Sequence, residues 1–175
     1  MEKHYRTHVK WKQIPGFGQE PHILLSGALR WKFAELERPA LIAVGGPGGI
    51  GKTTFAGKLA AELKEAVILG LDDYKSPRDT REQKKIYGPH PEANDMKLLH
   101  SHLRQLRQGK TIEKPRYCRD RGKIDSTISF EPDTFVIVEG EIATYKEFYS
   151  EIDFSIFIDS HWETQLNTRI KRDIQ

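Results

Sequence analysis

The chain has 175 residues, 37% of them hydrophobic and 30% charged, which is the balance of a globular domain, so the chain as a whole does not read as disordered. A net charge of +3 is too mild to argue for a nucleic-acid or membrane partner, and a lone Cys118 excludes an intrachain disulfide and fits a reducing compartment. No apolar run nears the ~18 residues of a membrane span and no apolar leader opens the chain, so a cytoplasmic location is expected.

Residues 1–39 read as an extension carrying one helix. The first 20 are polar, with a basic stretch at Lys3, Arg6, Lys10 and Lys12, and end in the loop-like cluster Ile14-Pro15-Gly16-Phe17-Gly18. From His22 to Leu36, the spacing of Ile23, Leu24, Ala28, Trp31 and Leu36 predicts an amphipathic helix stopped before Pro39. It should pack on the outside of the domain, with Trp11, Trp31 and Trp162 as packing residues.

Residues 40–175 read as one α/β domain. Ala40–Val44 predicts a strand buried on both faces, followed by a glycine-rich turn and a helix over Lys52–Lys64. Ala66–Leu69 predicts a second buried strand, leading into a polar segment from Asp72 to Pro91. A helix over Pro91–Gln108 carries Leu98, Leu99, Leu103 and Leu106 on one side, and Thr111–Ser129 predicts a hairpin turning at Asp120–Lys123. Two more buried strands are expected at Phe135–Val138 and Phe154–Ile158, with helices at Ile142–Tyr149 and His161–Asp173. Strands alternating with helices imply a mostly parallel sheet covered on both faces, a three-layer α/β/α fold with right-handed crossovers.

The segment Gly46-Pro47-Gly48-Gly49-Ile50-Gly51-Lys52-Thr53 satisfies G-x-x-x-x-G-K-[ST] between a predicted strand and a predicted helix, the setting of a P-loop NTPase. Glycines admit backbone conformations that turn N–H groups onto phosphate oxygens, and the helix N-terminus adds its unpaired donors and positive dipole end. Candidate ATP-phosphate contacts are Gly46, Gly48, Gly49, Ile50, Gly51, Lys52, Thr53 and Thr54. Lys52 would reach the β- and γ-phosphates, and the Thr53 hydroxyl would face Mg²⁺.

Phosphoryl transfer also needs a carboxylate to take the acceptor's proton and another to help hold the metal, both at the carboxyl ends of strands. Asp72 and Asp73 directly follow the second predicted strand, and Glu139 ends the third in Phe135-Val136-Ile137-Val138-Glu139-Gly140. Asp73 could replace Asp72 in this role or serve as a local cap. Thr53, Asp72 and Glu139 form the candidate metal set.

These segments resemble, in order, those of uridine kinases and related phosphoribulokinase-like enzymes. The resemblance rests on the phosphate loop, Leu71-Asp72-Asp73-Tyr74, His90-Pro91-Glu92-Ala93, Pro115-Arg116-Tyr117, Val136-Ile137-Val138-Glu139-Gly140 and Arg169-Ile170-Lys171-Arg172-Asp173, and covers roughly Ala40 to Asp173. It implies an ATP- and Mg²⁺-dependent kinase acting on a hydroxyl of a small molecule, with a homo-oligomer left open. Asp72 resembles the general base, Lys52 the phosphate-binding lysine, and Arg169 and Arg172 the arginines at the base of a closing lid. The acceptor side would include Tyr74, Tyr117 and Arg119, with His90 either bordering the acceptor or serving as a plain turn residue.

Two departures narrow the expectation. Where uridine kinases usually carry Asn-Phe-Asp-His-Pro, this chain has Tyr87-Gly88-Pro89-His90-Pro91, and Cys118-Arg119 replaces the usual Asp-Phe after Tyr117. A pocket that loses its hydrogen-bonding partners loses discrimination sharply, which argues against uridine itself. Arg116, Arg119 and Arg121 would instead either receive an anionic acceptor such as a sugar phosphate or form a solvated basic turn. The lid would begin near Gln175 and a fifth strand would follow it, so this sequence is expected to lack both. The second functional reading is a nucleotide-dependent regulatory ATPase or switch without kinase activity.

Overall fold

The computed structural model describes residues 20–86, 88–159 and 170. Four parallel strands, β1 (Ala40–Gly45), β2 (Ala66–Gly70), β5 (Phe135–Glu139) and β6 (Phe154–Phe157), lie in the order β2-β5-β1-β6. β3 (Ile112–Cys118) and β4 (Lys123–Phe130) form a separate antiparallel hairpin, as expected. Helices α1 (Pro21–Lys32) and α2 (Lys52–Leu63) cover one face of the sheet, and α4 (Met96–Arg107) covers the other. The three-layer α/β/α fold stands.

Period-2 alternation explains how one strand serves two cores. In β1, Leu41 and Ala43 join Leu99, Leu103 and Leu106 of α4, whereas Ile42 and Val44 join Ala56, Leu59 and Leu63 of α2. All six residues of β1 are buried, and β5 is buried over Phe135–Val138. β2 and β6 differ from the expectation of fully buried strands. Each pairs with one described neighbour, and in β2 only Leu69 is buried. An edge position leaves side chains such as Ile68 and Phe157 partly open to solvent.

The first helix is shorter than predicted and its inward face is rotated. His22, Ser26 and Leu29 are the buried residues, a stripe at i, i+4 and i+7 against α2. Trp31 is 85% exposed, so it is not a packing residue among the described ones. Two residues beyond Leu29 is about 200° around the helix, which turns Trp31 away from the stripe that α2 selects. Trp11 and Trp162 lie outside the described residues, as does the helix expected at His161–Asp173 apart from Ile170.

Two further segments depart from expectation. Ile142–Tyr149 is not an α-helix: i→i+3 bonds from Ala143 to Gly140, Tyr145 to Ile142 and Phe148 to Tyr145 give turns and a short 3₁₀ helix at Lys146–Phe148. The polar segment after β2 contains a 3₁₀ turn at Leu71–Tyr74 and a short helix, α3 (Arg78–Gln83). The predicted start of the next helix at Pro91 is likewise a separate 3₁₀ turn, Pro91–Ala93, with Asp95 capping α4 through the Leu98 N–H at 2.9 Å.

At the amino end of the sheet, Asp153 ties β1, α4 and the entry to β6 together. Its carboxylate accepts from both terminal nitrogens of Arg38 at 2.8 Å, from the Leu41 N–H at 3.0 Å and from Arg107 at 3.1 Å, with its side chain 9% exposed. Burial pushes this carboxyl up, but the hydrogen bonds from Arg38 and Leu41 and the charge of Arg107 outweigh it and hold the group below the ordinary range. A depressed folded value adds stability that is present above the unfolded value of about 3.9 and is lost as pH falls through the folded value. Asp153→Asn is therefore expected to cost about 1–3 kcal/mol at pH 7. The gap to the parent chain should begin to narrow near about pH 4 and close only below the depressed folded value, where the native parent carboxyl also takes a proton. Urea unfolding at pH 7 and at successively lower pH reads both effects; an equal gap at every pH would exclude the charge as its source.

Candidate active site

Parallel pairing brings three chain segments to one edge. The register places Val44 and Gly70 on either side of Glu139, so the loop after β1, the turn after β2 and the end of β5 converge at the carboxyl end of the sheet. The loop runs from Gly46 to Gly51, with positive φ at Gly46, Gly49 and Gly51, and α2 begins at Lys52. Gly51 sits at the N-cap with φ 91°, a conformation that costs glycine little and leaves the first helical N–H groups facing the loop mouth.

Lys52 is buried and its ammonium donates to the Pro47 carbonyl at 2.9 Å, which folds the side chain across the loop. Thr53 and Thr54, in the first turn of α2, are exposed. Thr53 lies beside Glu139, whose carboxyl is pushed up by burial and by the Asp72 charge, against the lowering pull of Lys52 and of the Thr53 hydroxyl. Lys52, Thr53, Asp72 and Glu139 thus sense one another in a single electrostatic cluster.

The two adjacent aspartates have separate surroundings. Asp72 pairs with Lys75 at 2.8 Å and with Arg119 at 3.3 Å. Burial raises its carboxyl, but Lys75, Arg119 and Lys52 prevail and hold it below the ordinary carboxylate value, so it is ionised at neutral pH. Asp73 instead faces the hairpin, accepting from the Tyr117 N–H at 3.1 Å and from the Lys114 ammonium. It does not cap a helix and does not share the Lys52 cluster. Lys75 was missed by the sequence reading, although its i, i+3 spacing from Asp72 was visible.

Among the expected acceptor-side residues, Tyr117 and Arg119 lie beside the aspartates. Tyr117 is half-buried and its hydroxyl accepts from Arg81 at 2.8 Å, while the Arg119 side chain is 83% exposed over Asp72. Tyr74 is a correction. It is fully buried among Leu99, Leu103 and Phe148, and its hydroxyl shares a 2.8 Å hydrogen bond with His102, so it presents no surface to an acceptor. Burial and the Asp73 charge push its phenol above the ordinary value, and burial pushes the His102 imidazole down despite Asp95, so both are neutral at pH 7. His90 is exposed, and its Nδ1 accepts from the Glu92 N–H at 3.2 Å, which makes it the cap of the Pro91–Ala93 turn. Arg169 and Arg172 lie outside the described residues.

The donor set suits Mg²⁺ better than a softer or fully caged ion. Among the described residues no group of three or more His, Cys, Asp or Glu side chains could hold a metal. The Thr53 hydroxyl beside Glu139, with Asp72 in the same cluster, offers hard oxygen ligands and leaves most of the shell to water and phosphate, as Mg²⁺ prefers.

Comparisons with known proteins bear on the family and the fold. Residues 41–175 match the phosphoribulokinase / uridine kinase family. A phosphoribulokinase of Synechocystis sp. is 33% identical over 144 residues, which cover 80% of this chain and 43% of that protein. Uridine-cytidine kinase B of Dictyostelium discoideum is 32% identical over 145 residues, 79% of this chain and 60% of that one. A uridine kinase of Cronobacter sakazakii is 34% identical over 145 residues, 77% of this chain and 68% of that one. The chain thus spans about half the length of the first two relatives. Among solved structures, a Silicibacter sp. TM1040 protein assigned as a fructose transport system kinase aligns with a TM-score of 0.78 at 18% identity, over 89% of this chain and 82% of that one, a likeness of fold alone. No helix among the described residues is long and apolar enough to cross a membrane.

Proposed function

The chain belongs to the phosphoribulokinase / uridine kinase family, and from that premise we propose that it transfers the γ-phosphoryl group of ATP to a hydroxyl of a small molecule of the nucleoside, sugar or sugar-phosphate type. The observation that carries this reading is the meeting of Lys52, Thr53, Asp72 and Glu139 at one sheet edge. The acceptor oxygen forms a bond to the γ-phosphorus, the bond from that phosphorus to the bridging oxygen breaks, and ADP leaves. Asp72, ionised and half-exposed beside the loop, takes the hydroxyl proton. Lys52 moves from the Pro47 carbonyl to the developing negative charge on the phosphoryl oxygens. Thr53 and Glu139 would hold Mg²⁺, which when bound neutralises charge on the β- and γ-phosphates. Arg169 and Arg172 are proposed, on the family pattern alone, to close over the phosphates.

The acceptor side favours an anionic compound. Arg119 stands over Asp72, and Arg116 and Arg121 lie on the same hairpin, while the hydrogen-bonding residues usual in uridine kinases are replaced by Pro89 and Cys118. The test is ADP release with ATP and Mg²⁺ across a panel of nucleosides, pentose phosphates, glycerate and pantothenate. Stimulation by a pentose phosphate well above that by uridine is the expected result. Tight ATP binding with no stimulation by any of them would replace this reading with the regulatory nucleotide-binding one.

A further inference from the structure

Three elements around Asp72 are tied into one wall, and the knot is its neighbour. The turn Leu71–Tyr74, α3 and the β3–β4 hairpin meet through hydrogen bonds at three levels. At the root, Asp73 accepts from the Tyr117 N–H at 3.1 Å and from the Lys114 ammonium, whose side chain is 9% exposed. In the middle, Arg81 donates to the Tyr117 hydroxyl at 2.8 Å. At the tip, the Arg78 N–H donates to the Gly122 carbonyl at 2.7 Å, and the Arg78 guanidinium donates to the Arg119 carbonyl. The middle and tip contacts are neutral or solvent-exposed at one end. The root contact alone pairs a carboxylate with a buried ammonium and also takes a backbone amide of β3.

The root contact also sits where the hairpin is weakest. The ladder slips between Arg116 and Tyr117, so the strand pairing is irregular at the residue whose amide Asp73 holds. β4 is exposed over Lys123–Ser129, and the hairpin packs on the core only at its foot, through Ile112 and Phe130, while a two-stranded ribbon beyond such an anchor is marginal by itself. Its position relative to the sheet therefore depends on what grips β3.

We propose that Asp73 is the positioning residue of the site: by clamping Lys114 and the Tyr117 amide it fixes the hairpin, with Tyr117 and Arg119, at the distance from Asp72 at which an acceptor hydroxyl is held for transfer. This rests on the kinase reading above, and it separates the two aspartates into a proton acceptor and a clamp. Misplacing an acceptor by about 1 Å costs on the order of 10²-fold in rate, so the clamp is felt in transfer and not in nucleotide binding.

The experiment compares the full chain with Asp73→Ala, Asp73→Asn and Lys114→Met, each alone, and with Asp73→Ala and Lys114→Met combined. Asp73→Ala is expected to lower kcat/KM for the acceptor about 10²-fold, with the ATP dissociation constant within about threefold of the parent. More ADP should form per acceptor phosphorylated, because a misplaced acceptor yields to water. The double variant should be no worse than Asp73→Ala alone, since both changes cut one link. Asp73→Asn keeps an acceptor for the Tyr117 amide and should fall between. Hydrogen exchange at the Tyr117 amide, followed without substrate, should accelerate about tenfold or more in Asp73→Ala. Unchanged exchange, or an unchanged acceptor KM and transfer-to-hydrolysis ratio in a folded variant, overturns the proposal. A parent chain that phosphorylates no acceptor sinks the kinase reading and with it the transfer half of the proposal, while the exchange measurement still decides whether Asp73 holds the hairpin.

Discussion

Asp72→Asn is expected to reduce acceptor phosphorylation by about 10²–10⁴-fold while ATP binds as before. The substitution keeps the shape of the side chain and removes both its charge and its capacity to take a proton. The fold should survive it. Lys75 and Arg119 lose a partner, but the Asp72 carboxylate is more than half exposed, and pairs of that kind contribute about 1 kcal/mol or less. ATP binding should survive because the donors proposed to meet phosphate, the loop amides and Lys52, are held by β1, α2 and the Pro47 carbonyl and not by Asp72. Acceptor-dependent ADP release and a calorimetric ATP titration on the same preparation separate the two effects. Full turnover in the variant would remove Asp72 as the base, and loss of ATP binding would show that its charge serves the nucleotide instead.

What was legible in the sequence was what lies close together in it. The phosphate loop is contiguous, and its function follows from residue types that must be adjacent: glycines for the backbone, then lysine, then threonine. Asp72 and Glu139 were legible for a different reason. Each follows a run of apolar residues, and a parallel sheet carries every strand end to the same edge, so topology predicts the meeting without any contact being known.

Pairings across 40 or more residues left no such trace. Lys114 meets Asp73 only because the hairpin register and the turn after β2 happen to face each other, and nothing in either local sequence announces it. Tyr74 was misplaced for a local reason. The segment after Asp72 forms a 3₁₀ turn of about three residues per turn, which points Asp72 to the loop, Asp73 to the hairpin and Tyr74 into the core. The segment 142–149 misled in a similar way. Ile142, Tyr145 and Tyr149 fall at i, i+3 and i+7 and mimic a helical stripe, yet successive i→i+3 bonds satisfy the backbone as turns. Trp31 illustrates the remaining failure, in which two faces of one helix were both rich enough in apolar residues to be chosen, and only packing on α2 decided between them.

Gly46→Ala is expected to remove nucleotide binding by a steric route that leaves every phosphate-facing side chain intact. Gly46 has φ 146°, and a Cβ built on it would lie 2.3 Å from the Ile158 carbonyl oxygen and 3.4 Å from Ile50 Cγ2. The oxygen cannot step aside cheaply. It belongs to the backbone just past β6, and the N–H of the same residue donates to the Gly45 carbonyl at 2.8 Å, so the two segments are already locked together. Alanine must therefore push β1 and β6 apart or swing the loop away from its phosphate-facing course. Overpacking of this sort costs about 1–3 kcal/mol, and holding a non-glycine residue at such a φ adds about 1–3 kcal/mol. Gly51→Ala is the control, since φ there is 91° but nothing stands within 4 Å of the added carbon. It should show the backbone strain without the clash. Thermal unfolding with and without ATP and Mg²⁺ reads both terms: Gly46→Ala should melt lower than Gly51→Ala and lose the nucleotide-dependent rise that a ligand bound only to the folded state confers. Equal melting of the two variants, or a full nucleotide shift in Gly46→Ala, would mean that the close approach to Ile158 is not what shapes the loop.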